Sequence, residues 1–227
     1  DAVRDRILGH IRTDVKTQLA YRTGGTWPGI LETNPEAKYA ISAEFKQLFT
    51  AWDEFIQLAG RVNEIISPVI IEYFTATPDP SHKQWKNDYI AKNAAYYAKY
   101  QTELDPWLAK WGALLTKKVI YGKLEWQVGG IRPGDSIWNY FIQMRQSGIR
   151  VKKNNCFPAL VAIVQTSIVA KEQRYLTPRE CARLQSVPDT FQWNNQPDAL
   201  TYKQLGNGVN ADVIRTVCQA VLREITF

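Results

Sequence analysis

A chain of 227 residues with 45% hydrophobic side chains can bury a core in one large domain or two small ones, which excludes global disorder. No apolar run approaches the roughly 20 residues of a membrane span, and no signal-peptide pattern opens the chain, whose first residue, Asp1, reads as a processed or trimmed start. The net charge of +6 sits in one stretch: between Ile142 and Ser186, Arg145, Arg150, Lys152, Lys153, Lys171, Arg174, Arg179 and Arg183 face only Glu172 and Glu180, and the remainder is balanced.

From the N-terminus, Val3, Ile7, Leu8, Ile11, Val15 and Leu19 keep helical spacing, which predicts an amphipathic helix over 2–21, stopped by Thr23-Gly24-Gly25. Residues 26–36 read as loop. A second helix is predicted over 37–59, with Phe45, Leu48, Phe49, Trp52, Phe55 and Ile56 as its stripe and Gly60 as its C-cap. Pro68 to Phe74 suits a short strand, and Pro78-Asp79-Pro80 a turn. Residues 82–111 read as two helices broken at Asp105-Pro106; Trp85, Tyr89, Asn93, Tyr96 and Tyr100 share a face of the first.

Beyond Lys117 the texture changes. Residues 119–128 and 137–145 favour strands, and the β-branched run 157–169 reads as a buried strand or hairpin. Helices are predicted at 178–186 and 210–225. The many Trp and Tyr residues suit an aromatic core, or alternatively a surface on which bases stack.

Cys156, Cys181 and Cys218 form no CxxC pair and no disulfide framework, which fits a reducing compartment. With only His10 and His82, a zinc site or a histidine-dependent nucleophile has almost nothing to draw on, and no metal is expected. The clustered basic charge suits a polyanion, against the plainer reading of a solvated positive face.

Two segments carry more. Arg174-Tyr-Leu-Thr-Pro-Arg-Glu-Cys-Ala-Arg-Leu-Gln-Ser-Val-Pro-Asp189 holds a helix start: Thr177 caps, Pro178 suits the first helical position and Glu180 closes a capping box. In Tyr202-Lys-Gln-Leu-Gly-Asn-Gly-Val209, glycines flank Asn207 and suit a tight turn before a helix. In this order and spacing the two segments resemble the ninth and tenth conserved motifs of the DNA cytosine-5 methyltransferase family. Residues 147–168 resemble the end of that family's target-recognition region, and 85–100 and 123–127 resemble upstream pieces of some bacterial members. Residues 1–35 have no counterpart.

The resemblance implies an α+β fold. Its first half is helix-rich, a small irregular β-rich recognition region follows, and the C-terminal helices pack on a Rossmann-like catalytic domain absent from this chain. It divides the chain into 1–35 of unknown role, a target-recognition domain at 36–173, and a ninth- and tenth-motif segment at 174–227. In the family a flipped cytosine is attacked by the thiolate of a Pro-Cys-Gln segment, and S-adenosyl-L-methionine donates the methyl group. No cysteine here follows a proline, and neither Glu-Asn-Val nor an early glycine-rich turn occurs; Gln143-Met-Arg145 only echoes the family's Gln-x-Arg-x-Arg segment. No catalytic residue is therefore expected, and this chain alone is expected to be inactive.

By the same resemblance, Arg174, Thr177, Arg179, Glu180, Arg183 and Gln185 organise the recognition region, with phosphate contact open to the arginines. Gly206, Asn207 and Gly208 line one wall of a partly supplied cofactor pocket, with Gly208 where relatives often carry a small polar residue. Sequence reading falls to loops within about 129–156. There Arg145, Ser147, Arg150, Lys152, Lys153, Asn154 and Asn155 are the candidates for duplex DNA, arginine and lysine for guanine edges or phosphates and asparagine for adenine. The implied setting is the bacterial cytoplasm and a restriction-modification system, with a catalytic N-terminal part or subunit as partner. The alternatives are a non-catalytic DNA-binding module descended from such an enzyme, and an RNA-binding or scaffold protein that uses its aromatic face.

Overall fold

Ser42 opens the first long helix of the computed structural model, which describes residues 5, 30–153, 157–161 and 166–225. The Ser42 hydroxyl accepts from the Phe45 N–H and caps α1 (Ala43–Arg61). The helix thus starts six residues later than its hydrophobic pattern suggests, because 37–39 form a separate 3-10 turn. The predicted stripe is the core-facing one: Leu48, Phe49, Trp52, Phe55 and Ile56 are fully buried. Gly60 lies inside the helix, and Val62 is the C-cap. A Cβ at Gly60 would meet the Arg132 carbonyl oxygen at 2.6 Å, so close approach explains this glycine. The helix and turn expected over 2–25 lie outside the described residues, apart from Asp5, which is helical.

The chain divides into two compact units, one built from 1–39, 159–166 and 176–227, the other from 40–158 and 167–175. In the second, α2 (Gln84–Lys99) and α3 (Gln101–Thr116) follow a short strand, β1 (Val69–Ile70). Only those two residues of the Pro68–Phe74 segment are extended; 71–73 turn into a 3-10 helix. The break between α2 and α3 falls at Tyr100, not at Asp105-Pro106, and Pro106 sits inside α3. A proline there deprives one turn of its hydrogen bond. Its neighbour Trp107 is buried, with its indole N–H donating to the Ala51 carbonyl at 2.8 Å, and this packing anchors the helix across the defect.

Four further strands are β2 (Lys123–Gln127), β3 (Phe141–Arg145), β4 (Gly148–Lys152) and β5 (Ile168–Val169), and β6 (Arg174–Tyr175) ends the sheet. The order is β1-β2-β4-β3-β5-β6, with β2 and β4 parallel and every other pair antiparallel. The fold is therefore α+β around a mixed sheet. Residues 148–152, read from sequence as part of a recognition loop, form a strand in the middle of it. The 157–169 run is mostly not a strand: 157–161 are irregular, 162–165 lie outside the described residues and only Ile168–Val169 pair. Leu124, Ile142, Ile149, Val151 and Ile168 pack from the sheet into one core with α1, α3 and Tyr121. Trp52, Trp107 and Trp126 are buried there, so most of the aromatic excess is core; Trp85 and Tyr89 are exposed.

In the other unit, α4 (Pro178–Leu184), α5 (Asp198–Asn207) and α6 (Ala211–Glu224) form the described helical part. The capping box at α4 is present as the sequence predicts. Helix α5 was not expected: Gly206 and Asn207 are its last two residues, and Gly208, with φ −72°, is its C-cap. The Gly-Asn-Gly segment is thus a helix end and not the tight turn that its glycines suggest. No helix among the described residues is long and apolar enough to cross a membrane.

Candidate nucleic-acid interface

Alternation along β2, β3 and β4 places Leu124, Trp126, Ile142, Ile149 and Val151 towards the core. The residues between them, Glu125 and Gln127, Gln143 and Arg145, Arg150 and Lys152, share the opposite face. Register makes neighbours of them: Glu125 opposes Arg150, Gln127 opposes Lys152 and Gln143 opposes Arg150. The structure therefore gathers Arg145, Arg150 and Lys152 on one sheet face.

Ser147 lies in the hairpin turn between β3 and β4. Gly148 closes that turn with φ +126°, and a Cβ there would lie 2.6 Å from the Lys123 Cβ, so both conformation and contact require glycine. Lys153 follows β4 and is exposed; Asn154 and Asn155 lie outside the described residues.

Neither arginine of this face hangs loose. The Arg150 Nε and Nη2 both contact Glu125 Oε2 at 2.7 Å, and Ser147 Oγ reaches Glu125 Oε1 at 3.4 Å. Arg145 Nη2 and Nε donate to Gln143 Oε1 at 2.8 and 3.2 Å. Gln143 is itself buried, and its Nε2 donates to Ser167 Oγ at 3.2 Å. On the same sheet Phe157 stacks on Phe141 with ring centroids 4.1 Å apart. Sequence reading gives neither Glu125 nor Gln143 a site role, and Gln143 enters it only through the Gln143-Met-Arg145 echo. The polar alternation of Lys123-Leu-Glu-Trp-Gln127 was the available sign for Glu125; its partner depends on strand register, which has no local signature.

The other basic residues of the charged stretch are differently employed. Arg174 is buried and pairs with Glu172, and its Nη1 donates to the Tyr175 carbonyl. Arg183 forms a two-pronged pair with Asp189 at 2.8 and 2.9 Å and donates to the Ile30 carbonyl at 3.0 Å. Arg179 donates to the Pro188 and Phe191 carbonyls and lies 4.4 Å from the Trp193 ring centroid. These two arginines hold the loop after α4 in shape.

The capping box reaches further than α4. Thr177 Oγ1 accepts from the Glu180 N–H and donates to Glu32 Oε2 at 2.5 Å. Glu180, fully buried, accepts from the N–H groups of Thr177 and Glu32, each at 2.8 Å. Gln185 joins the two motif segments, donating to the Leu205 carbonyl at 2.8 Å and to the Gly208 carbonyl at 3.3 Å. Asn210 caps α6 through the Val213 N–H and donates to the Leu184 carbonyl at 2.7 Å. Of the tenth-motif trio, Gly206 is half-buried and Asn207 and Gly208 are exposed. The Gly208 N–H is taken by the Gln204 carbonyl, so this short edge offers the Asn207 amide and little backbone.

Cys181 is buried beside Thr166, and burial pushes its thiol up to about 12, so it is no nucleophile at neutral pH. Cys218 is exposed on α6. No group of His, Cys, Asp and Glu that could hold a metal occurs among the described residues.

Comparison with known proteins bears on this arrangement. Type II methyltransferase M.AluI of Cellulosimicrobium cellulans is 38% identical over 146 residues, 64% of this chain and 27% of that protein. Type II methyltransferase M.HgiCI of Herpetosiphon aurantiacus is 52% identical over 44 residues, 19% of this chain and 10% of its own. The tRNA (cytosine(38)-C(5))-methyltransferase of Schizosaccharomyces pombe is 33% identical over 61 residues, 26% of this chain and 18% of its own. The chain thus spans little more than a quarter of the length of M.AluI and less of the other two. No solved structure gives a significant match. The description C-5 cytosine-specific DNA methylase matches residues 29–223, nearly the whole chain, and the chain therefore belongs to that family.

Proposed function

We propose that this chain is the DNA-recognition portion of an S-adenosylmethionine-dependent DNA cytosine-5 methyltransferase of a bacterial restriction-modification system. The catalytic cysteine then comes from a separate N-terminal part or chain. The observation that carries this reading is the shared face of β3 and β4, where Arg145, Arg150 and Lys152 project together from a rigid sheet. A basic face of this kind draws the duplex, and arginine and lysine on it are suited to phosphates and to guanine edges.

The chemistry of the cysteines supports the same division of labour. None sits in a Pro-Cys-Gln segment, and Cys181 is held protonated by burial. Thiolate attack on the flipped base needs a nucleophile that these residues do not supply. S-adenosylmethionine, when bound, supplies the methyl group. The edge at half-buried Gly206 and exposed Asn207 and Gly208 suits one wall of its pocket, and the remaining walls belong to the catalytic part. Helix α6 supports docking to that part: Val213, Ile214 and Leu222 are exposed on it.

A methyl-transfer assay on duplex DNA tests the reading. The chain is assayed alone and then joined to a catalytic part that carries the Pro-Cys-Gln segment. The expected result is no transfer by the chain alone and transfer by the joined enzyme. Transfer by the isolated chain overturns the proposal. Duplex binding with no transfer in either case favours the non-catalytic module instead.

A further inference from the structure

We infer that Glu125 and Gln143 are positioning residues that hold the guanidiniums of Arg150 and Arg145 side-on, so that each presents its end to a guanine. The inference rests on the DNA-recognition reading above and adds which base the sheet reads and how.

A guanidinium has two edges that can make paired hydrogen bonds. One runs along Nε and Nη2, the other across the end, from Nη1 to Nη2. In both arginines the side edge is occupied: Arg150 Nε and Nη2 by Glu125, Arg145 Nε and Nη2 by Gln143. Among the described residues nothing else bonds either side chain, which leaves the end edge for a ligand. Guanine offers O6 and N7 side by side in the major groove, and a paired arginine contact with them is the commonest specific one. A phosphate would be served equally well by a mobile arginine. Two arginines each fixed on the same edge by a different neighbour point to a planar partner with a set direction.

The supports are themselves fixed. Gln143 is buried and anchored by Ser167, which sets the orientation of its amide. Glu125 stands on a central strand and also accepts from Gln127 Nε2 at 3.2 Å. Strand register gives a spacing. Gln143 faces Arg150, so Arg145 is the diagonal neighbour of Arg150. Diagonal neighbours lie ~7 Å apart, about two steps of the ~3.4 Å base rise. The two guanine positions are therefore about two base pairs apart, on either strand.

The experiment uses the 227-residue chain and a randomised pool of duplex DNA, from which bound sequences are selected and read. The wild type is expected to enrich a site with two G·C pairs about two steps apart. For Glu125→Ala, preference for guanine at one of them falls about tenfold, the size of one good paired contact. Affinity for unrelated duplex and its salt dependence stay equal or rise, because a negative charge has left the face. A merely structural role would lower specific and unrelated binding together. Gln143→Ala is expected to relax the other position with the salt slope unchanged, provided that its melting transition stays cooperative. A wild-type site that survives Glu125→Ala at both positions overturns this inference and leaves the recognition reading standing. No duplex binding by the wild type overturns both.

Discussion

Gln185 donates its side-chain amide to the Leu205 carbonyl at 2.8 Å and so ties the end of α4 to the last turn of α5. The bond satisfies a carbonyl that the helix end would otherwise leave to water. The backbone of Gln185 repeats the link, because its carbonyl accepts the Ala211 N–H at 3.0 Å at the start of α6. Gln185→Ala is expected to destabilise the fold by about 1 kcal/mol. Gln185→Glu should cost more, since it sets a carboxylate against two carbonyl oxygens. Denaturant unfolding monitored by tryptophan fluorescence measures both, and equal midpoints for all three proteins would show that the link carries no stability.

Thr177 bears on the same helical unit from the other end of α4. It accepts from Glu180 and donates to Glu32, so removing its hydroxyl breaks a cap and a contact at once. Thr177→Ala is expected to cost about 1–2 kcal/mol, the upper range for a cap. Thr177→Ser keeps both bonds and should restore most of it. A serine variant as unstable as the alanine one would assign the effect to the lost methyl group.

The capping box was legible because all its parts lie within four residues. The α1 stripe was legible because helical periodicity is local too. The misread elements share the opposite property. Asp105-Pro106 reads as a break in the sequence, yet Trp107 holds α3 together through the Ala51 carbonyl, a contact across 56 residues of chain. Gly206 and Gly208 suit a tight turn by sequence, yet the Gln185 amide stabilises a helix end there. The family resemblance places residues 148–152 in a recognition loop; pairing with β2 and β3 on both sides makes them a strand. Sequence nominates Arg145, Arg150 and Lys152, which the sheet gathers on one face, but it does not show that Glu125 and Gln143 hold the arginines, since register alone makes them neighbours.

Two glycines in helices should respond oppositely to alanine. At Gly60 the new Cβ would meet the Arg132 carbonyl oxygen at 2.6 Å, and backbone cannot move aside cheaply. Gly60→Ala is expected to cost about 1–3 kcal/mol, as for overpacked cores. At Gly112, inside α3, nothing lies within 4 Å of the added Cβ. Gly112→Ala should stabilise by about 0.5–1 kcal/mol through helix propensity. Thermal melting of both variants checks the pair; a shift of the same sign in both would refute the close-approach account of Gly60.

On the sheet face, Arg150→Ala with Lys152→Ala removes two of the projecting cations. Each phosphate neutralised contributes about 0.9 to the slope of log affinity against log salt. Binding of the double variant to duplex DNA is expected to weaken, with the slope reduced by about 1, the share of Lys152, because Arg150 is held towards a base. An unchanged slope, measured by fluorescence anisotropy over a salt series, would move the DNA surface away from β3 and β4.

The fold keeps the Cys181 thiol protonated by burying it. Burial raises its thiol to about 12 in the folded chain, against about 8.5 when unfolded. Between these values the unfolded chain has lost a proton that the folded chain keeps, so unfolding becomes more favourable as pH rises. The stability associated with this thiol is complete below about pH 8.5 and declines above it, by at most ~1.4 kcal/mol per pH unit. Lysines and tyrosines titrate in the same range, so the thiol is isolated by difference. Stability is measured from pH 7 upwards for the wild type and for Cys181→Ala, and the gap between the two should narrow above about pH 8.5. Native labelling gives an independent check: iodoacetamide at pH 8 should modify exposed Cys218 and leave Cys181 untouched. A parallel pair of pH curves, or alkylation of Cys181 in the folded chain, would mean that this thiol is open to solvent and available for chemistry.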